Sequence, residues 1–262
     1  MPNSDDDEVG WDPVAGTVDL DALGPIDAAV NLAGAGVGDK RWTKSYKKEI
    51  LQSRVLSTST LSRALATLDP LPQVLVNGSA IGFYGDRGGE LVDEDSAPGD
   101  GFLSDVVVDW EAATRPAQDA GIRVVHARTG LVVSSSGGAF SRLLTVFKYG
   151  LGGRVGSGDQ YWSFISLRDE VAALTYAVTT ASLQGPVNLV APKAVTNRDV
   201  TKAIADRVRR PAFLPVPALA LKAALGEFAD DILASENVRP TRLTAAGFSW
   251  QDPTIAEALA AD

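Results

Sequence analysis

The sequence predicts an α/β fold: a parallel sheet with helices on both faces, followed by a small, mainly helical C-terminal part. Two observations lead there. Residues 27–32, 74–77, 122–127 and 186–190 are short, continuous apolar runs bounded by turn or small residues, which is how strands buried on both faces read. Between them lie stretches with apolar residues at helical spacing, over about residues 43–68, 102–120, 140–149 and 167–179. Strands that alternate with helices in this way build parallel sheets through crossover connections.

Each element has its own local signals. The first ten residues read as a loose acidic start. The first strand, with Ala28-Ala29-Val30-Asn31-Leu32, ends at Gly34. Thr43 is the expected N-cap of the next helix, with Ile50, Val55, Leu61, Leu65 and Leu68 as its apolar positions and Pro70 and Pro72 as its stop. The second strand runs into Gly78-Ser79-Ala80, and an acidic, Gly-rich loop over residues 86–101 separates it from the second helix. After Pro192 short helical pieces (197–208, 218–233 and 254–260) surround a Pro-rich segment at 211–217. The expected division is therefore a sheet domain over 1–192 and a small subdomain over 193–262. A chain of 262 residues allows one large domain with such an appendage, at roughly 100–200 residues per domain.

Composition closes several chemistries. The chain has no cysteine and one histidine, which removes disulfides, thiolate nucleophiles, Cys-ligated zinc and His-rich metal sites. Its 33 acidic and 24 basic side chains give a net charge of −9, against the basic face that nucleic-acid phosphates require. The late apolar stretch over 213–225 is interrupted by Pro215, Pro217 and Lys222, so no membrane span is expected. The acidic start is the opposite of a signal peptide, and a cytoplasmic location is expected.

Gly34-Ala35-Gly36-Val37-Gly38 follows a strand and precedes a helix, but it fails as a dinucleotide fingerprint. That motif opens directly into its helix and has an acidic residue about 20 positions later, whereas here the helix waits until Thr43 and the next strand ends in Asn77. The segment is a flexible turn, or one that lets backbone approach a ligand at the strand's carboxyl end. Residues 39–54 hold six cations (Lys40, Arg41, Lys44, Lys47, Lys48 and Arg54) and two anions, a local +4 that leaves −13 for the rest. Most of these lysines read as a solvated helix face; Arg54, on the helix after the strand-end turn, is placed to pair with a phosphate. His126 lies within a strand pattern and reads as a packed residue rather than a general base. No G-x-S-x-G nucleophile elbow occurs. Residues 150–158, ahead of Tyr161 and Trp162, read either as a substrate loop with aromatic walls or as a plain turn.

The order of several segments resembles the epimerase family of extended short-chain dehydrogenase/reductases. They are Asn31-Leu32-Ala33-Gly34, Arg41-Trp42-Thr43, Ser53-Arg54, Ser79-Ala80-Ile81-Gly82-Phe83-Tyr84-Gly85, Asp109-Trp110-Glu111-Ala112-Ala113 and Arg128-Thr129-Gly130-Leu131-Val132. Gly156-Ser157-Gly158, Pro186-Val187-Asn188-Leu189-Val190 and the C-terminal Val216-Pro217-Ala218 and Gly247-Phe248 continue the match almost to the end of the chain. The resemblance implies a Rossmann-type sheet that binds NADP(H). It places backbone of Leu32 and Ala33 along the dinucleotide, polar contacts at Glu49 and Arg54, and a further contact at Val132.

Two departures from that family stand out. Short-chain reductases use a Tyr with a Lys four residues later, but Tyr46, Tyr84, Tyr149, Tyr161 and Tyr176 are followed at that offset by Ile50, Gly88, Gly153, Ile165 and Thr180. Aligning the second helix on Glu111 puts Leu103 and Val107 where that pair should stand. Ser79 and Tyr84 are left as the catalytic candidates, either to polarise a substrate carbonyl or to make strand-end hydrogen bonds. The second departure is at the start, where residues 7–13 match the family's third strand. The expectation is a truncated or misassigned start lacking roughly 30 or more residues of a Gly-rich βαβ unit, with the apolar edge of residues 28–32 bared and the Trp11 segment detached. An upstream G-x-x-G-x-x-G in the same reading frame is the corresponding expectation.

The leading reading is an NADP(H)-dependent epimerase or oxidoreductase acting on a small molecule, with nucleotide-linked substrates among the candidates. The alternatives are a non-catalytic NADP(H)-binding regulatory or scaffold protein and a non-functional fragment. Neither nucleic acid nor membrane is an expected partner, and nothing in the sequence sets an oligomeric state.

Overall fold

The computed structural model describes residues 8–212 and 214–262. Six strands organise the fold: β1 (Ala28–Asn31), β2 (Val74–Ala80), β3 (Arg123–Thr129), β4 (Leu131–Val133), β5 (Phe164–Ser166) and β6 (Gly185–Leu189). The main sheet is parallel throughout, in the order β6-β3-β2-β1, and its register sets Asn31 opposite Asn77 and Ser79 opposite Arg128. Strands β4 and β5 form a separate parallel pair that continues from the end of β3.

The helices that pack on these strands or line the sites are α1 (Lys44–Leu65), α2 (Phe102–Ala112), α3 (Arg115–Asp119), α4 (Gly138–Lys148), α5 (Leu167–Thr179), α6 (Asn197–Val208) and α7 (Ile255–Ala261), with shorter ones at Leu20–Leu23, Ala218–Leu225, Phe228–Leu233 and Thr241–Ala245. Thr43 caps α1 as expected, its hydroxyl accepting from the Tyr46 N–H at 3.2 Å. The helix expected over 102–120 divides after Ala112, and α3 begins anew with Pro116 in its first turn. Proline has no N–H for an intrahelical bond and restricts the residue before it, so one continuous helix is disfavoured there. The piece expected over 218–233 is likewise cut at Gly226, which has φ +67°.

The alternation of side chains along the strands builds two cores. On one face Val74, Val76, Val125, Ala127, Val187 and Leu189 pack against Ala173 and Ala177 of α5. On the other, Leu75 and Val124 meet Leu65 of α1 and Ala117 of α3. A third cluster joins Phe140, Leu144, Phe147 and Phe164 to Val200, Ile204, Ile255 and Leu259, so residues after 192 share a core with those before it.

The segment matched to the family's third strand stands apart from the main sheet. Trp11–Asp12 pairs antiparallel with Thr17–Val18 in a small hairpin apart from the parallel sheet. Local turn chemistry explains it: the Asp12 carboxylate accepts from Val14 and Ala15 N–H groups, and Gly16 takes φ +74°. Residues 1–7, with Asp7 of that matched segment and most of the acidic start, lie outside the described residues, as does Phe213. The outer edge of β1 pairs with no strand among the described residues, and Val30 and Leu32 beside it are 46% and 62% exposed.

Gly130 marks how closely the chain turns between β3 and β4, since a Cβ there would lie 2.6 Å from the Ser163 carbonyl oxygen and 2.8 Å from Val190. Gly130→Ala is expected to cost about 1–3 kcal/mol in denaturant unfolding by overpacking; a loss below about 0.5 kcal/mol would contradict this packing.

Candidate functional site

The carboxyl ends of the parallel strands are where open α/β sheets bind ligands. Here those ends are tied together by two buried polar networks. The first joins β1 and β2 to the helices beneath them. The Asn31 side-chain amide donates to Asn77 Oδ1 at 2.7 Å and to Thr58 Oγ1 at 2.9 Å, and Trp110 Nε1 donates to the same hydroxyl at 2.9 Å. The Arg54 guanidinium lies 5.0 Å from the Trp110 ring centroid, a cation–π distance. Its Nη1 donates to the Ala35 carbonyl at 2.9 Å and to that of Ile50 at 3.1 Å, while Nε and Nη2 meet no acceptor among the described residues. Burial lowers the Arg54 pKa from its ordinary value.

The second network is centred on Glu111 and Arg128. Arg128, only 3% exposed, donates from Nε to Glu111 Oε1 at 2.8 Å and from Nη2 to Oε2 at 2.9 Å, a bidentate pair. Ser79 donates to Glu111 Oε1 at 2.6 Å. Arg128 Nη1 donates to the Tyr84 hydroxyl at 3.1 Å, and that hydroxyl donates to Asn188 Oδ1 at 2.8 Å. Burial works to raise the Glu111 pKa, but the hydrogen bonds and charge of Arg128 bring it below the usual carboxylate range. Tyr84 is fully buried, and burial pushes its phenol up to about 12. His126 stands 3.7 Å from Glu111, and burial lowers its pKa, so at neutral pH it is a neutral packed residue as the strand pattern implies.

The sequence-derived candidates thus fall in four places. Leu32 and Ala33 follow β1 beside Arg54, with Leu32 exposed and the Ala33 N–H donating to Asn31 Oδ1 at 3.2 Å. Ser79 and Tyr84 meet at the Glu111–Arg128 pair, where both hydroxyls are already engaged. Val132, half-buried on β4, faces Ile165 in register. Glu49, on α1 one turn before Ser53, has an exposed carboxylate 3.3 Å from Lys40 Nζ. Among the described residues no cluster of His, Asp and Glu is arranged for a metal ion, and no helix is long and apolar enough to cross a membrane.

One group at this end escaped the sequence reading. Glu170, in the first turn of α5, is 7% exposed; its Oε1 accepts from Thr129 Oγ1 at 2.8 Å and its Oε2 has no partner. Its sequence signal, an acid in a first helical turn, ordinarily marks a solvated residue facing the helix dipole.

A sequence profile of the NAD dependent epimerase/dehydratase family matches residues 19–190, about two thirds of the chain. The chain belongs to this family. In this epimerase-family chain, residues 216–261 also match DUF1731, a domain of unknown function. Epimerase family protein Mb2239 of Mycobacterium bovis is 46% identical over 254 residues, covering 97% of this chain and 84% of the relative. The crystal structure of human epimerase family protein SDR39U1 (isoform 2) with NADPH superposes with a TM-score of 0.86 at 35% identity, covering 90% of this chain and 81% of that one. A nucleoside-diphosphate sugar epimerase from Corynebacterium glutamicum gives 0.78 at 35% identity, covering 96% of this chain and 48% of that one. The α/β architecture expected from the sequence is thus that of the epimerase family, with a Rossmann-like parallel sheet.

Burial raises the Glu170 pKa from 4.5 to about 7. A folded-state value above the unfolded one means that stability from this group is full below pH 4.5 and is lost as pH rises through about 7, on the order of 3 kcal/mol in all. Glu170→Gln keeps an acceptor for Thr129 and removes the titration. The wild-type minus variant stability, from urea unfolding across pH 4.5–8, is expected to fall over that interval and level off above it; a flat difference would show that Glu170 does not titrate there.

Proposed function

We propose that this chain is an NADP(H)-dependent epimerase-like protein that takes the dinucleotide across the carboxyl ends of β1–β4. The observation that carries the proposal is Arg54: a guanidinium anchored by Nη1 beneath the strand-end loop, stacked on Trp110, with Nε and Nη2 left for a ligand. The loop leaves little room above it, since a Cβ on Gly34 would come within 3.2 Å of the Arg54 side chain. The donor set suits a phosphate oxygen. Backbone of Leu32 and Ala33, the Glu49 carboxylate and the half-buried Val132 are the other contacts proposed for the dinucleotide. SDR39U1 crystallised with NADPH supports the choice of cofactor.

A bound nicotinamide would supply hydride chemistry, with the protein contributing orientation and electrostatics. This chain's own residues position backbone and Arg54 against the dinucleotide and keep water from the strands beneath. The substrate is read as a small molecule, and the division into a sheet domain (1–192) and a C-terminal subdomain (193–262) as the frame of its cleft. A second reading, a non-catalytic NADP(H)-binding regulatory or scaffold protein, is favoured by one specific observation. Ser79 and Tyr84, the catalytic candidates, already spend their hydroxyl protons on Glu111 and Asn188. They serve as strand-end hydrogen bonds in both readings.

Titration with NADPH, followed by nicotinamide fluorescence, is expected to saturate at one site per chain. Arg54→Met should weaken NADPH at least about tenfold, the loss of a charge-assisted bond, and weaken NADH less if the guanidinium reads the extra phosphate. Wild-type protein that binds neither dinucleotide would overturn the cofactor reading; equal affinity of variant and wild type would remove Arg54 from the site. Turnover of a carbonyl panel by the bound protein separates the enzyme from the scaffold.

A further inference from the structure

A second concentration of positive charge lies away from the strand ends. The inward face of α6 carries Val200 and Ile204, which pack into the core beneath it. Its outward face carries Arg198, Lys202 and Asp206, spaced four residues apart and therefore stacked along one side of the helix. The helix ends at Arg209 in the left-handed conformation, φ 52° and ψ 43°, the sole positive-φ residue other than glycine among the described residues. Beyond that turn, Arg210, Pro211 and Ala212 line the same cavity as the helix residues.

Arg154, from the Gly-rich segment at 150–158, supplies the opposite wall. It and Arg198 flank Gly158, where a Cβ would lie 3.3 Å from Arg154 Cβ and 3.5 Å from Arg198 Cβ. Together these residues enclose an open cavity of about 610 Å³, within the roughly 300–1,000 Å³ of small-ligand sites.

Charge makes this cavity unusual for the chain. Its lining holds five cations, Arg154, Arg198, Lys202, Arg209 and Arg210, against a single acid, Asp206. Acidic side chains outnumber basic ones by 33 to 24 in the whole sequence. Yet only Arg198 has a carboxylate partner among the described residues, Asp159 at 2.7 Å. Four unpaired cations around one cavity repel one another, and a multivalent anion relieves that repulsion at every one of them. Four of the five cations are arginines, whose planar forks match phosphate oxygens bidentately. Ala205, Pro211 and Ala212 add a small apolar wall.

We propose that this cavity binds a multivalent phosphate, a di- or triphosphate group that is either free or carried on a small molecule. The site is independent of the dinucleotide reading, which uses Arg54 and the loops at the strand ends. It also gives the Gly-rich segment at 150–158 a purpose other than a plain turn, since Gly158 leaves room for Arg154 beside Arg198.

Isothermal titration of the full chain with inorganic triphosphate, and separately with ADP, tests the proposal, each with and without saturating NADPH. The expected result with NADPH bound, where ADP cannot enter the dinucleotide site, is one site per chain, weakened at least tenfold in a Lys202→Glu/Arg210→Glu variant and unchanged in a Lys44→Glu/Lys48→Glu variant; triphosphate is expected to show that same site without NADPH. Both pairs are exposed, and a thermal melt of each variant checks that the fold survives. Equal affinity for the two probes assigns recognition to the anion alone; tighter ADP assigns it to a nucleoside-borne phosphate resting on the apolar wall, and both support the site. Binding that NADPH abolishes, that Lys202→Glu/Arg210→Glu leaves intact, or that is absent at millimolar probe would overturn it.

Discussion

The buried pair of Glu111 and Arg128 is the constraint on which the carboxyl end of the sheet depends. It joins a helix terminus to the end of β3, draws in Ser79 from β2 and Tyr84 from the turn that follows, and through Tyr84 reaches Asn188 on β6. A charged pair with so little solvent offsets its desolvation only when its hydrogen-bonding capacity is met. Here both carboxylate oxygens and all three guanidinium nitrogens have partners, and the Phe83 ring centroid lies 3.4 Å from the guanidinium carbon. Adjacent strand ends are thereby held in one arrangement by side chains rather than by the ladder alone.

That arrangement shapes what the site can do. With Ser79 and Tyr84 committed to the pair, acid–base chemistry of the usual Tyr–Lys kind has no free phenol here, and Leu103 and Val107 offer no substitute on α2. In the proposed reading, the dinucleotide meets backbone after β1, the Arg54 nitrogens that have no acceptor among the described residues, and the half-buried Val132. The two polar networks meet at adjacent residues of α2, since Trp110 belongs to one and Glu111 to the other. Arg54, which packs on Trp110, and the strand ends tied by Glu111 are therefore mechanically joined through a single helical turn.

Much of this was legible locally. The four main strands, the Thr43 cap and the helix over 167–179 follow from runs, spacing and caps that need no tertiary partner. The breaks after Ala112 and at Gly226 are written in Pro116 and Gly226, single residues within longer apolar patterns that otherwise read as continuous helix. The hairpin at Trp11 is legible in its turn residues, Asp12 and Gly16. The site's chemistry was less accessible. His126 and Arg128 share one face of a strand by simple alternation, but nothing periodic brings Glu111 to them across 15 and 17 positions. Asn31 and Asn77, each the closing residue of a buried apolar run, were the available hint that polar groups meet between strands. Glu170 was hidden because burial of a first-turn acid depends on what packs over it.

A double-mutant cycle on Glu111 and Arg128, read by equilibrium urea unfolding at neutral pH, tests the central claim most directly. Glu111→Gln and Arg128→Met are each predicted to cost about 3–5 kcal/mol, because each strands a buried charge or its partners. The double variant is predicted to cost less than the sum, by about 2 kcal/mol or more. Single losses that add to within about 0.5 kcal/mol would show that the two residues act independently, and the strand ends would then owe their arrangement to something other than this pair.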